Sequence, residues 1–263
     1  MNIQWLAAAC IVEILWMTLA FLLYRRTQLI GIIDSFWTFS FALQVLVACL
    51  TLPATADRKL TALLFSCIWS LRLGIHITRR FIRSRKDDPR YEELRKVWTK
   101  NFDAGVFWMY QLQGLSVLIL MGPFICYLAD TGEQNIAVLS IAVCLFFVGL
   151  TGEALADQQL TQFKKFNPGE VCNIGLWRYS RHPNYFFEWL IWVSFFTLSA
   201  SSANGIWMIY APLLMLILLT QVTGIPPAER QSIASKGEKF KHYQATTSAF
   251  FPWFPARDAE RKS

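Results

Sequence analysis

The chain has 263 residues, 54% of them hydrophobic, with 25 Lys and Arg against 18 Asp and Glu. A mean hydropathy of +0.35 excludes an ordinary soluble domain, and the length suits one helical membrane bundle. Membrane topology and anionic lipid account for the net charge of +7, so no nucleic-acid interface is implied.

At about 20 apolar residues per span, the sequence predicts seven helices, over 3–24, 29–52, 60–77, 106–129, 136–156, 186–203 and 206–224. The first follows Met1 and Asn2 directly, with no basic stretch and no small-residue cleavage site, and reads as a retained helix rather than a cleaved signal. Long basic connections (78–105, 157–185, 225–263) contrast with short ones (53–59, 130–135, 204–205). Of the 25 Lys and Arg, 22 fall on one side of this arrangement, only Arg58 and Lys59 on the other, and Arg72 inside a span. The positive-inside rule then sets the N-terminus outside and the C-terminus in the cytosol. The expected fold is an all-α, polytopic membrane bundle forming a single domain.

Cys10, Cys49, Cys67, Cys126, Cys144 and Cys172 are scattered, mostly through apolar runs, with no C-x-x-C pair. They read as small apolar residues, and no metal site is expected.

Glu13, Asp34, Arg72, His76, Glu153 and Glu188 lie in or at the ends of predicted spans, where facing lipid is costly. Arg72 and His76 are four apart and share a helix face. Asp34 lies one turn into its helix with Trp37 three residues on, placing a carboxyl group beside an aromatic side chain. Asp34 and His76 are the candidate proton donors, with Arg72 as polarising partner; a structural Asp34–Arg72 pair is the alternative. For Glu13, a helix–helix hydrogen bond is as good a reading as function.

The densest polar cluster follows. Asp157, Leu160 and Lys164 share a helical face, and Arg178, Arg181, His182, Asn184, Tyr185 and Glu188 come next between apolar segments. Arginine forks match phosphate oxygens bidentately, while Asn and Asp suit an amide or ribose hydroxyls. A lipid-headgroup anchor is the plainer reading, but it has no use for Asp157, Asn184 and Glu188 among the bases. No G-x-G-x-x-G or Walker loop follows a strand signal, so a dinucleotide would be held within the bundle.

Five motifs carry a resemblance over nearly the whole chain. They are Asp34-Ser-Phe-Trp37, Trp69-Ser-Leu-Arg72, Asp88-Pro-Arg90-Tyr91, Ala156-Asp157-Gln158-x-Leu160-x-x-Phe163-Lys164, and Arg181-His182-Pro183-Asn184-Tyr185 followed by Glu188. The chain resembles the steroid 5α-reductase-like integral membrane family, most closely its bacterial branch, domain of unknown function 1295. Pro168-Gly169-Glu170 and Gly175-Leu176-Trp177 are similar to further segments of the steroid enzymes, as is Tyr243 nine residues before Pro252. The resemblance implies NADPH held by residues 106–263, with Tyr243 joining the cluster, and a lipid-like substrate held by residues 1–105. It also implies reduction of a carbon–carbon double bond, as in an enone, and a multi-pass protein of the bacterial inner membrane. The Gln-Glu pair of the steroid enzymes is missing from the N-terminal half.

The cluster is similar to a second class as well. Isoprenylcysteine and phospholipid methyltransferases share an Arg-His-Pro-x-Tyr block and a tail matched here by Glu229, Phe240 and Tyr243, and bind S-adenosylmethionine. Several basic contacts favour a phosphorylated dinucleotide over that phosphate-free cofactor. A lipid-binding or scaffolding protein without catalysis is the third reading. Residues 78–105 are polar enough to close over a cofactor as a lid or to form a plain solvated helix.

Overall fold

A computed structural model describes residues 3–84, 87, 91, 94, 95, 98 and 100–256. The long helices are α1 (Ile3–Thr27), α2 (Ile32–Thr51), α3 (Ala56–Ser84), α4 (Phe102–Leu120), α5 (Gly122–Ala129), α6 (Ile136–Phe166) and α7 (Pro183–Ser199). Then come α8 (Tyr210–Ile217), α9 (Ile225–Lys236) and α10 (Glu238–Thr246), and no strand forms among the described residues. Five helical stretches are long and apolar enough to cross a membrane, or six if the bent pair α4–α5 is one span. The sixth predicted span, 186–203, falls on α7, which has 17 residues and is shorter than these.

The breaks have local causes. Gly122-Pro123 opens α5 with a 40° bend from α4, because proline removes an amide donor and crowds the preceding turn. Between α8 and α9 the chain makes one π turn, Leu218–Val222, ended at Gly224, where a Cβ would lie 2.3 Å from the Leu219 carbonyl oxygen. Pro226 and Pro227 then restart the helix. At the start of α6 the Asn135 side chain accepts from the amides of Ala137 and Val138 at 3.1 and 3.2 Å, a side-chain N-cap.

The chain divides into two compact units, residues 1–134 with 198–208, and residues 135–197 with 209–263. In the first, α1 buries the stripe Ala9, Glu13, Met17, Ala20 and Tyr24, while Ile11, Leu15, Leu19 and Leu22 stay exposed. This is the pattern of a helix with lipid on one side. Glu13 is held inside by Ser40, whose Oγ donates at 2.6 Å, and by Gln44 Nε2 at 2.7 Å. Gly114 lets α4 approach, since a Cβ there would lie 2.9 Å from Met17 and 3.0 Å from Glu13. Glu13 thus fits the structural reading as a tie between helices. Arg58, 1% exposed, donates to the Tyr127 and Gly132 carbonyls and to Asp130, each at 2.9 Å.

In the second unit, α6 and α7 pack antiparallel through Gly149 and Gly152. A Cβ on Gly149 would lie 2.6 Å from Ile191, and one on Gly152 2.3 Å from the Phe187 ring. Small residues at this spacing permit backbone approach where no hydrophobic effect drives helices together.

Candidate functional site

The close α6–α7 contact brings Asp157 and Asn184 together. Asn184 Nδ2 donates to Asp157 Oδ1 at 3.3 Å, and the buried Asn184 Oδ1 has no hydrogen-bond partner among the described residues. One turn beyond Asn184, Glu188 is 6% exposed and accepts from Trp192 Nε1 at 2.8 Å. Lys164 is exposed in the last turn of α6, where a cation also offsets the helix dipole.

Between α6 and α7 runs a pinned loop. Gly175 (φ +57°) begins a 3-10 turn, Gly175–Arg178, and its open Cα face lies against Gln159. Gln159 Oε1 accepts from the Leu176 amide at 2.9 Å, and Trp177 Nε1 donates to the Ala156 carbonyl at 2.9 Å. The Tyr243 hydroxyl donates to the carbonyls of Trp177 and Ser180, locking α10 to the same turn. Burial pushes this hydroxyl above its ordinary pKa, so it stays a donor at neutral pH. Arg178 ends the turn exposed, with no hydrogen bond or ion pair among the described residues.

Arg181 and His182 meet Glu229 of α9. Arg181 Nε donates to Glu229 Oε1 at 2.7 Å, and its Nη1 to the Gln244 and Thr247 carbonyls. His182 Nε2 lies 3.2 Å from the same carboxylate oxygen, and Gln244 Nε2 donates to the other at 2.6 Å. The rings of His182 and Tyr185 stack with centroids 5.3 Å apart and planes 5° apart. The expected cofactor residues thus fall into two groups. Asp157, Asn184, Tyr185 and Glu188 lie along α6–α7, and Lys164 and Arg178 present exposed cations. Arg181 and His182 serve a hydrogen-bonded scaffold centred on Glu229, and Tyr243 ties the neighbouring Trp177 and Ser180 carbonyls. Gln244 is the member that sequence reasoning missed, because nothing in the spacing ties it to a carboxylate fifteen residues earlier.

The expected catalytic residues lie in the first unit. Asp34 is half-buried in the first turn of α2, and its Oδ1 accepts from the Tyr91 hydroxyl at 2.6 Å. Trp37 turns its indole N–H to Ser116 Oγ on α4 at 2.9 Å. Thr78 Oγ1 donates to Ser35 Oγ at 2.9 Å, and Gly74 faces the Phe39 ring. This antiparallel register sets His76 level with residues 35–39. Arg72 lies beyond it, between that contact and the Phe41–Trp69 ring pair, whose centroids are 5.2 Å apart. Both are half-buried. Asp87 Oδ1 accepts from the Gly31 amide at 2.9 Å, and Arg95 donates to Asp87 at 3.2 Å and to the Gln28 carbonyl. These described residues of the 78–105 connection are fastened to the start of α2. Asp88, Pro89 and Arg90 of the motif there lie outside the described residues, as does much of the segment considered as a lid.

No group of three or more His, Cys, Asp or Glu placed to hold a metal occurs among the described residues. Residues 20–247 match the family described as "Protein of unknown function (DUF1295)", and the chain belongs to that family. It is 27% identical over 226 residues to an uncharacterized protein of Schizosaccharomyces pombe, covering 75% of this chain and 64% of that protein's length. No solved structure matches the chain.

Proposed function

We propose that this family member is an NADPH-dependent reductase of a carbon–carbon double bond in a lipid-like, enone-type substrate, as its resemblance to the steroid 5α-reductases implies. The observation that carries the reading is Asn184. Its amide nitrogen is committed to Asp157, and its buried oxygen lacks a donor. A buried acceptor without a donor costs about 1–3 kcal/mol, and the carboxamide N–H of a nicotinamide satisfies it. The exposed cations Lys164 and Arg178 suit phosphate oxygens, and the stacked His182–Tyr185 pair offers a flat aromatic wall to a ring.

Bound NADPH would supply a hydride to one alkene carbon, the other carbon gaining a proton, to give NADP+ and the saturated product. Asp34 or His76 would donate that proton or hydrogen-bond the substrate carbonyl. Tyr91, bonded to Asp34 Oδ1, holds the carboxyl group in one orientation. The apolar helices around these groups lower the local dielectric and strengthen the polarisation.

One observation bears on the methyltransferase alternative. Glu229 and Tyr243 do lie beside the Arg181-His182 block, but both Glu229 oxygens are occupied by protein donors. A donor from S-adenosylmethionine would have to share that carboxylate with them.

Thermal-shift and fluorescence titrations of the purified protein test the proposal. Saturating NADPH stabilises by about 2.7 kcal/mol at a hundred times its Kd, and Asn184→Ala is expected to reduce this response while leaving the unliganded melting temperature within a few degrees. NADPH consumption with enone lipids is the expected activity. Stabilisation by S-adenosylmethionine with none by NADPH would assign the methyltransferase class, and response to neither the lipid-binding class.

A further inference from the structure

Beside the locked turn, the second unit holds a cavity of about 280 Å3 lined by Asn173, Arg178, Lys239, His242, Thr246 and Thr247, among others. Lys239, His242 and Thr246 recur at i, i+3 and i+7 along α10 and so share one face. Arg178 comes from the 3-10 turn, which Tyr243 ties rigidly to that helix. No carboxylate is among the lining residues in the described part of the chain. Arg178 has no ion-pair partner among the described residues. Lys239 is bonded to Glu170 at 2.6 Å, but both side chains are at least half exposed, and such a pair holds its lysine only weakly.

An arginine fork, a lysine, a histidine and the Thr247 hydroxyl around one small space form a donor set for an anion with several oxygens, while the Thr246 hydroxyl donates back to the His242 carbonyl of its own helix. The volume lies below the roughly 300–1,000 Å3 of sites that enclose a whole drug-sized ligand, so the cavity takes one end of a larger molecule. A phosphate monoester fits both limits, since it carries close to two negative charges on three terminal oxygens.

We infer that this cavity binds a phosphate monoester. Resting on the reductase reading above, the monoester is the ribose 2′-phosphate by which NADPH differs from NADH, and Arg178 is the residue that distinguishes the two. Arg181, three residues on, takes no part because Glu229 holds it.

Dissociation constants for NADPH and NADH, measured on the full-length protein in detergent, test this. The wild type is expected to prefer NADPH by about tenfold or more. Arg178→Ala should abolish that preference by weakening NADPH alone. Lys241→Ala removes an equal charge from α10 outside the cavity and should leave the preference intact. Equal affinities in the wild type, or an Arg178→Ala variant that weakens both dinucleotides alike, overturns the inference. Adenosine 2′-monophosphate and nanodiscs containing phosphatidic acid separate this failure from failure of the reductase reading. If neither dinucleotide binds, the reductase reading and the NADPH assignment fall together. Saturable binding of adenosine 2′-monophosphate that Arg178→Ala removes would then still support a phosphate-monoester cavity. Binding of phosphatidic acid alone, sensitive to the same substitution, would overturn the nucleotide assignment in favour of a headgroup, and binding of neither probe would overturn the cavity itself.

Discussion

Arg181 and Arg178 are three residues apart and look interchangeable in the sequence, yet their environments are opposite. The side chains of Arg181 and Glu229 are 11% and 14% exposed and meet at 2.7 Å. Gln244 closes the remaining carboxylate oxygen. Removing one partner of such a pair leaves a charge buried without compensation, which costs about 3–5 kcal/mol. Arg181→Ala is therefore expected to lower the melting temperature of the unliganded protein, and adding Glu229→Gln should recover much of the loss. A variant that melts like the wild type but no longer binds dinucleotide would instead put the guanidinium on the ligand. Arg58 teaches the same lesson in the first unit, where it ties down the carbonyl-rich end of α5 and the Asp130 turn. Which arginines bind the fold and which face a ligand was not legible from spacing. Their partners stand 48 and 72 residues away, and a local pattern carries no information about them.

At the scale of elements, hydropathy located the helices but misjudged their ends. The third predicted span, 60–77, is the apolar part of a helix running from Ala56 to Ser84, and the fifth, 136–156, continues to Phe166. Hydropathy reports where lipid is, whereas backbone hydrogen bonding carries a helix on into charged sequence. That continuation places Asp157 and Lys164 on α6, as their helical spacing suggested. The close approach of α6 to α7 rests on Gly149 and Gly152, whose meaning needs the partner helix to be seen. Gly152→Val would push branched carbons into the Phe187 ring, which already lies 2.3 Å from a Cβ position. Overpacking of this kind typically costs about 1–3 kcal/mol. Because the same contact brings Asp157 to Asn184, the variant is expected to lose NADPH-induced stabilisation as well as intrinsic stability. Gly132→Val, at an exposed turn whose Cβ would meet only Asp130 oxygens at 3.6 Å or beyond, is the control expected to keep the ligand response. Differential scanning fluorimetry with and without NADPH reads both effects.

For the whole molecule, the question is how many times the chain crosses. The helix α7 has 17 residues, about 26 Å at 1.5 Å per residue, against a hydrocarbon core of about 30 Å. If α7 crosses, the six longer segments and α7 make seven spans, and the tail bearing Arg230, Lys236, Lys239 and Lys241 lies on the same side as the other basic connections. If it does not, the tail falls on the side that otherwise carries only Arg58 and Lys59, against the charge bias that orients membrane proteins. Arg58 is buried in the fold, so even that small count overstates the positive charge exposed there. A shortfall of a few ångströms costs only fractions of a kcal/mol per ångström, far less than moving a basic tail across the membrane. The expected topology therefore has α7 spanning, the N-terminus outside and the C-terminus in the cytosol. Reporter fusions in a bacterial host check it: green fluorescent protein fused after Ala256 should fluoresce, and alkaline phosphatase fused after Asn204 should be active. An active phosphatase at the C-terminal position would mean that α7 re-enters, which would put α10 on the opposite side from the Gly175–Arg178 turn and contradict the hydrogen bonds that join them.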